Sequence, residues 1–137
     1  MKKLIRTILL TLSFYSCTAT KPTPENCREF RSGRYIFNKY NKSGLGHWSK
    51  LTYFITRMDS LEFETATHFP NDTSIYRIAW TGACEYRSLL LNPKMDLDSF
   101  FVKTYPSGTK HTIIKATDDY YIAKRNRNDR DTIWKAK

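Results

Sequence analysis

Histidine, cysteine, glycine and proline are all scarce in this chain: three, three, five and five among 137 residues. So little Gly and Pro excludes collagen-like and low-complexity organisation. His47, His68 and His111 stand far apart, with neither H-x-x-x-H nor H-x-H spacing, so they are expected to be scattered surface or turn residues and no metal site is expected. No G-x-S-x-G, P-loop or G-x-G-x-x-G occurs, and Gly44-Leu45-Gly46 reads as a turn. There is no C-x-x-C, and no His or Lys stands beside Cys27 or Cys84 to lower a thiol pKa. No catalytic set and no cofactor is expected from the residues. No apolar run reaches the roughly 20 residues that a membrane-crossing helix needs.

Aromatics are plentiful at 15 %, with nine Tyr and eight Phe. Flat side chains of this kind suit half-buried strands. The length suits one domain. The stretch 73–91 is the most informative: two β-like runs joined through Thr81-Gly82-Ala83, carrying Trp80 and Cys84.

Residues 1–16 read as a basic start, an apolar run and then a small residue, the layout of a secretory signal. The alternative is a buried N-terminal helix, but the segment has no amphipathic stripe and precedes Pro-containing chain. Phe14-Tyr15-Ser16-Cys17 resembles a bacterial lipobox of the relaxed kind, with Phe14 where Leu is common. Cleavage there would leave Cys17 as a lipidated N-terminus. Each acyl chain adds about 0.8 kcal/mol per buried CH₂, and two chains anchor stably. Ordinary secretion with a free Cys17 thiol is the other reading. Three cysteines are an odd number for an exported protein. If Cys17 takes lipid, Cys27 and Cys84 remain as a pair that an oxidising compartment would join, or as two free buried thiols. Residues 18–26 are expected to be an extended tether whose prolines exclude helix, and residues 27–137 one β domain.

Within that domain, runs at 30–37, 47–59, 61–69, 74–80, 84–90, 100–105, 111–116, 120–124 and 132–135 read as strands. The turns are expected at 41–46, 58–60, 70–73 and 106–108, and at Asp118-Asp119. Tyr76, Ile78 and Trp80 share one face, as do Cys84, Tyr86, Ser88 and Leu90. In 61–69 the alternation places Leu61, Phe63 and Phe69 on one face and Glu62, Glu64 and His68 on the other. A solvated face is expected for the glutamates, with Arg77 and Arg87 meeting Glu62, Glu64 or Glu85 in exposed cross-strand pairs. The fold class is all-β: an antiparallel meander forming a small barrel or sandwich.

Three segments, 27–35, 55–64 and 78–86, resemble those of a group of small Bacteroidota lipoproteins. The shared pattern is a Cys-x-x-Phe-x-x-Gly start, an Arg-x-Asp hairpin and a Trp-x-x-x-Cys-x-Tyr core strand. The resemblance implies a compact β fold and a Cys27–Cys84 disulfide. It implies no activity.

The net charge is +10; without Lys2, Lys3 and Arg6 the 20 remaining basic residues face 13 acidic ones, a net +7. Such a surface suits anionic lipid or acidic partners. The charged run 124–131 reads as a solvated hairpin loop. Basic and aromatic residues interleave over 120–134, but export argues against nucleic acid. Asp59-Ser60-Leu61 and Asp131-Thr132-Ile133 match the triplet used in bacterial O-glycosylation, and both are expected at turns. Together these readings describe a chain tethered to a lipid bilayer through Cys17 acyl chains, in the cell envelope. Its domain would be non-enzymatic and bind a protein or a small hydrophobic ligand. The alternative is an envelope hydrolase, which needs convergent carboxylates or histidines in one cleft.

Overall fold

The structure, a computed structural model, describes residues 22–42, 46, 48–94, 96–125 and 129–137. The expected signal, Cys17, the first part of the tether and His47 lie outside the described residues. The chain runs α1 (Pro24–Arg28), β1 (Ser32–Lys42), β2 (Trp48–Met58), β3 (Leu61–Ala66), β4 (Phe69–Trp80), β5 (Glu85–Leu90), α2 (Asp96–Thr104), β6 (Thr109–Ala116), β7 (Tyr120–Arg125) and β8 (Arg130–Lys135). The eight strands form an antiparallel meander in sequence order. It closes into a barrel where β1 meets β8, through Tyr35↔Lys135, Ile36↔Trp134 and Phe37↔Ile133. Of the two expected architectures, the barrel is the one formed. Among the described residues no helix is long and apolar enough to cross a membrane.

Alternation along each strand decides what fills the barrel. Tyr35, Ile55, Ile78, Tyr86, Ile113, Tyr121, Ala123 and Ile133 are buried inside it. The intervening Phe54 and Trp134 face out, on the same ladder row as Ile36. Tyr76, Ile78 and Trp80, which the alternation set on one face, turn to the core together with Tyr86, and Trp80 packs on Tyr86 at 5.0 Å. The turn at Asp59-Ser60 is as expected, and Asp59 takes the left-handed conformation (φ 47°) that Asp tolerates.

Four element expectations are overturned. The tether is not wholly extended: α1 forms over Pro24–Arg28, with Thr23 as N-cap accepting from Asn26 N and a proline in the first turn, where a missing N–H costs nothing. The first strand starts at Ser32, and Phe30 instead stoppers one end of the barrel, 4.7 Å from Tyr121 and 6.3 Å from Tyr35. The turn after β3 is Thr67-His68, so Pro70 lies at the start of β4. Residues 100–105 are not a strand but lie largely in α2, which begins with acidic residues, carries Lys103 in its last turn and stops before Pro106.

The return from α2 into β6 is tight. Gly108 has φ +76°, and a Cβ there would lie 2.5 Å from Ser88 O, so only glycine fits. On the other side of α2, Asn92 accepts from Ile75 N (2.7 Å) and donates to Thr73 O (2.8 Å), while Lys94 pairs with Asp72. These bonds seat α2 over the end of the barrel opposite Phe30.

Candidate functional site

The two ends of the barrel differ. At the Phe30 end, Arg57 is 2 % exposed. Its Nε donates to Glu62 Oε2 (2.7 Å), its Nη1 to Phe30 O (3.0 Å) and its Nη2 to Tyr86 Oη (3.3 Å). The guanidinium also stands over the rings of Tyr86 (4.7 Å), Tyr35 (5.6 Å) and Tyr121 (5.8 Å). Burial opposes its charge, but Tyr121, Tyr86 and Glu62 more than offset that and hold its pKa well above the ordinary value. Burial pushes the Tyr35 hydroxyl up to about 12, with Arg57 pulling the other way.

At the α2 end the interior is open. A cavity of about 410 Å³ lies there, within the range of small-molecule sites. Its aromatic wall is Phe37 stacked on Tyr53 (5.5 Å, 25°), with Tyr76 nearby. Leu90 and Val102 add apolar surface. Asp98, Val102 and Tyr105, spaced four and three apart, line the cavity from the α2 side. The polar groups come from facing strands: Glu62 and Glu64 from β3, Ser88 from β5, His111 from β6, Arg125 from β7 and Lys39 from β1.

Glu62 and Glu64 are therefore not on a solvated face, as expected, but turned inward. The hairpin register decides it, because Arg57↔Glu62 and Ile55↔Glu64 are directly opposed and Ile55 and Arg57 are core residues. Burial pushes the Glu64 carboxyl up to about 7, with Glu62 adding to the rise and Arg125 and Lys39 reducing it. Burial likewise raises Tyr53 and Tyr76, which stand on β2 and β4, the strands flanking Glu64, and in both the Glu64 carboxyl adds to the rise. Among the described residues the Glu64 carboxyl has no hydrogen-bond or ion-pair partner.

His111 is likewise not on the surface. Its ring stacks on Tyr86 (4.6 Å, 5°) and its Nε2 bonds Ser88 Oγ (2.8 Å). Burial first, then Arg125 and Arg57, push it down to about 3, so the ring is neutral at physiological pH. His68 is exposed in the β3–β4 turn. Arg125, expected in a solvated loop, is half-buried; its Nε lies 2.8 Å from Asp131 Oδ2, an ion pair in which the N–H is not aimed at the oxygen.

The expected exposed pairs also rearrange. Glu85 binds Lys110 (2.9 Å), Arg87 donates to Ser107 Oγ and Gly108 O, and Arg77 is exposed. Of the two glycosylation triplets, Asp59-Ser60 is an exposed turn, but Asp131-Thr132-Ile133 lies within β8, where Thr132 pairs with Ile122. Cys27 and Cys84 are joined by a disulfide (S–S 2.00 Å), tying α1 to the corner between β4 and β5. Among the described residues no group of three or more His, Cys, Asp or Glu side chains is placed to hold a metal.

The cavity's polar set is hidden in the sequence because polar strand residues ordinarily face outward. Arg57 and Glu62, symmetric about the two-residue turn Asp59-Ser60, were the available signal. No protein family, curated protein or solved structure matches this chain.

Proposed function

We propose that this chain is a non-enzymatic binding protein that holds one small molecule in the open end of its barrel. The observation that carries the reading is the asymmetry of the interior. One end is filled by Phe30 and the Arg57 cluster, and the other holds a cavity of about 410 Å³ beneath α2. A cavity of that size with apolar walls and a few converging polar groups is what a small-molecule site needs. The test is titration of the ¹⁵N-labelled protein with a fragment set of amines, acids and alcohols. Amide shifts should centre on Tyr76, Ser88, Leu90, Val102 and His111, and Val102→Trp, which narrows the cavity, should weaken them. Shifts confined to the outer faces of the strands would reject the reading.

The alternative, an envelope hydrolase, gains from one observation: Glu62, Glu64 and the Ser88–His111 pair all line the same cavity. Their electrostatics weaken it. A serine nucleophile needs a base near its working pH, and His111 is held at about 3. Glu62 is already engaged by Arg57. Turnover of chromogenic esters or glycosides that disappears in Glu64→Gln would favour the hydrolase instead.

The site of action we infer is the cell envelope, with the barrel tethered through lipidated Cys17 to a bilayer. The support is the signal-like segment 1–16, the cysteine that follows it and the lipoprotein resemblance. Labelling cells with a palmitate analogue should mark the wild type and not Cys17→Ser. Equal labelling of both would remove the anchor.

A further inference from the structure

The cavity's charges indicate which molecule it takes, an inference that rests on the binding reading above. Of the three basic groups in its wall, two are already answered or neutral and the third lies at its exposed rim. Arg125 stands against Asp131 at 2.8 Å, Lys39 is solvent-exposed at the rim and the His111 ring is uncharged. Two of the acidic groups are likewise engaged. Glu62 holds Arg57, and Asp98 Oδ2 accepts from Lys94 N (3.1 Å). Glu64 is the acid left without a partner among the described residues, and the strands on either side of it bring Tyr53 and Tyr76 to the same cavity. An unpaired carboxyl set among aromatic faces is the arrangement that receives an organic ammonium, through its charge and through cation–π attraction.

We propose that the barrel binds a small organic cation, an amine or quaternary ammonium with a short apolar body. Its charged head would sit at Glu64 between Tyr53 and Tyr76, and its body along Leu90 and Val102. The site is poised for this. Burial and Glu62 keep the Glu64 carboxyl near half-protonated at neutral pH, and an incoming cation would ionise it and release a proton. The groups facing Glu64 from the packed elements are Lys39, Tyr53, Glu62, Tyr76, Asp98, His111, Arg125 and Asp131. With a carboxyl titrating at about 7, cation affinity rises with pH. It should be about tenfold weaker at pH 6 than at pH 8.

The experiment is calorimetric titration of the full protein with three probes of one length: hexyltrimethylammonium, hexanoate and hexanol. Hexyltrimethylammonium should bind most tightly at pH 8 and weaken about tenfold at pH 6. Glu64→Gln, checked for folding by near-UV circular dichroism, should bring it at pH 8 to the affinity of hexanol and abolish the pH dependence. Hexanoate binding as tightly as the cation, or a Glu64→Gln protein that binds the cation unchanged, overturns the inference. If hexanol or hexanoate binds in the cavity and the cation does not, the binding reading stands and the cation inference falls. If none of the three binds at millimolar concentration, both fall.

Discussion

Glu62→Ala is expected to cost about 3–5 kcal/mol of folding stability, among the largest losses from any single change in this chain. The reason lies in what stays behind. Arg57 would keep its buried guanidinium with only Phe30 O and Tyr86 Oη as direct hydrogen-bond partners and no facing carboxylate. Three tyrosine faces remain, but a cation–π contact, at about 2 kcal/mol when desolvated, leaves the guanidinium charge without a counter-ion. Arg57→Met should be costly for the mirror-image reason, since it leaves the Glu62 carboxylate buried beside Glu64. The diagnostic is the double variant. Arg57→Met with Glu62→Leu removes both charges at once and should be no less stable than either single variant, because an apolar replacement of a buried pair is often neutral or stabilising. Urea melts of the wild type, Arg57→Met, Glu62→Leu and the double variant measure this directly. Losses that simply add in the double variant would mean that the two residues act independently.

The same pair marks where the sequence stops being readable. The alternation in Tyr76-Arg77-Ile78-Ala79-Trp80 identifies the inner face, because there apolar and inward coincide. In β3 they do not coincide. Glu62 and Glu64 face a polar interior, so the rule that sends charge to solvent inverts the strand. Only the register across the Asp59-Ser60 turn, which sets Arg57 opposite Glu62, restores it. His111 is harder still. Its neutrality comes from burial against Tyr86 and from arginines on β7 and β2, none of them near it in sequence. In α2 two signals competed. Phe100-Phe101-Val102 reads as strand by propensity, while the spacing of Asp98, Val102 and Tyr105 reads as one helix face. The latter prevailed because the preceding acidic residues and the following Pro106 bracket a helix. The antiparallel meander was legible, but its closure and the cavity were not, since they depend on β1 meeting β8 and on which end Phe30 fills.

The second large effect concerns how that filled end is kept. Removing the Cys27–Cys84 bond, by Cys27→Ser with Cys84→Ser, should destabilise the protein by about 4 kcal/mol. The bond spans 57 residues, and freeing a loop of that length restores that much chain entropy to the unfolded state. Guanidinium melts of the disulfide-bonded protein and the double variant measure it. Two accounts of the loss make different local predictions. If the bond acts on the unfolded chain alone, amide exchange should quicken by a similar factor at every core position that exchanges by global unfolding. If instead it holds a stopper in place, exchange should quicken first around Phe30 and Tyr35 while Ile113 and Ile133 hold. The stopper is small: α1 is five residues long, and the segment is fixed by the disulfide, by the Phe30 contacts with Tyr121 and Arg57, and by exposed links such as Glu29–Lys135 and Asp59 N to Arg31 O. With the bond gone, burial of Phe30 contributes only about 2–3 kcal/mol to keep the segment docked. Local release should therefore precede global unfolding. The barrel would then admit water at the Arg57 end before its strands part, and a loss below about 1 kcal/mol with uniform exchange would contradict both accounts.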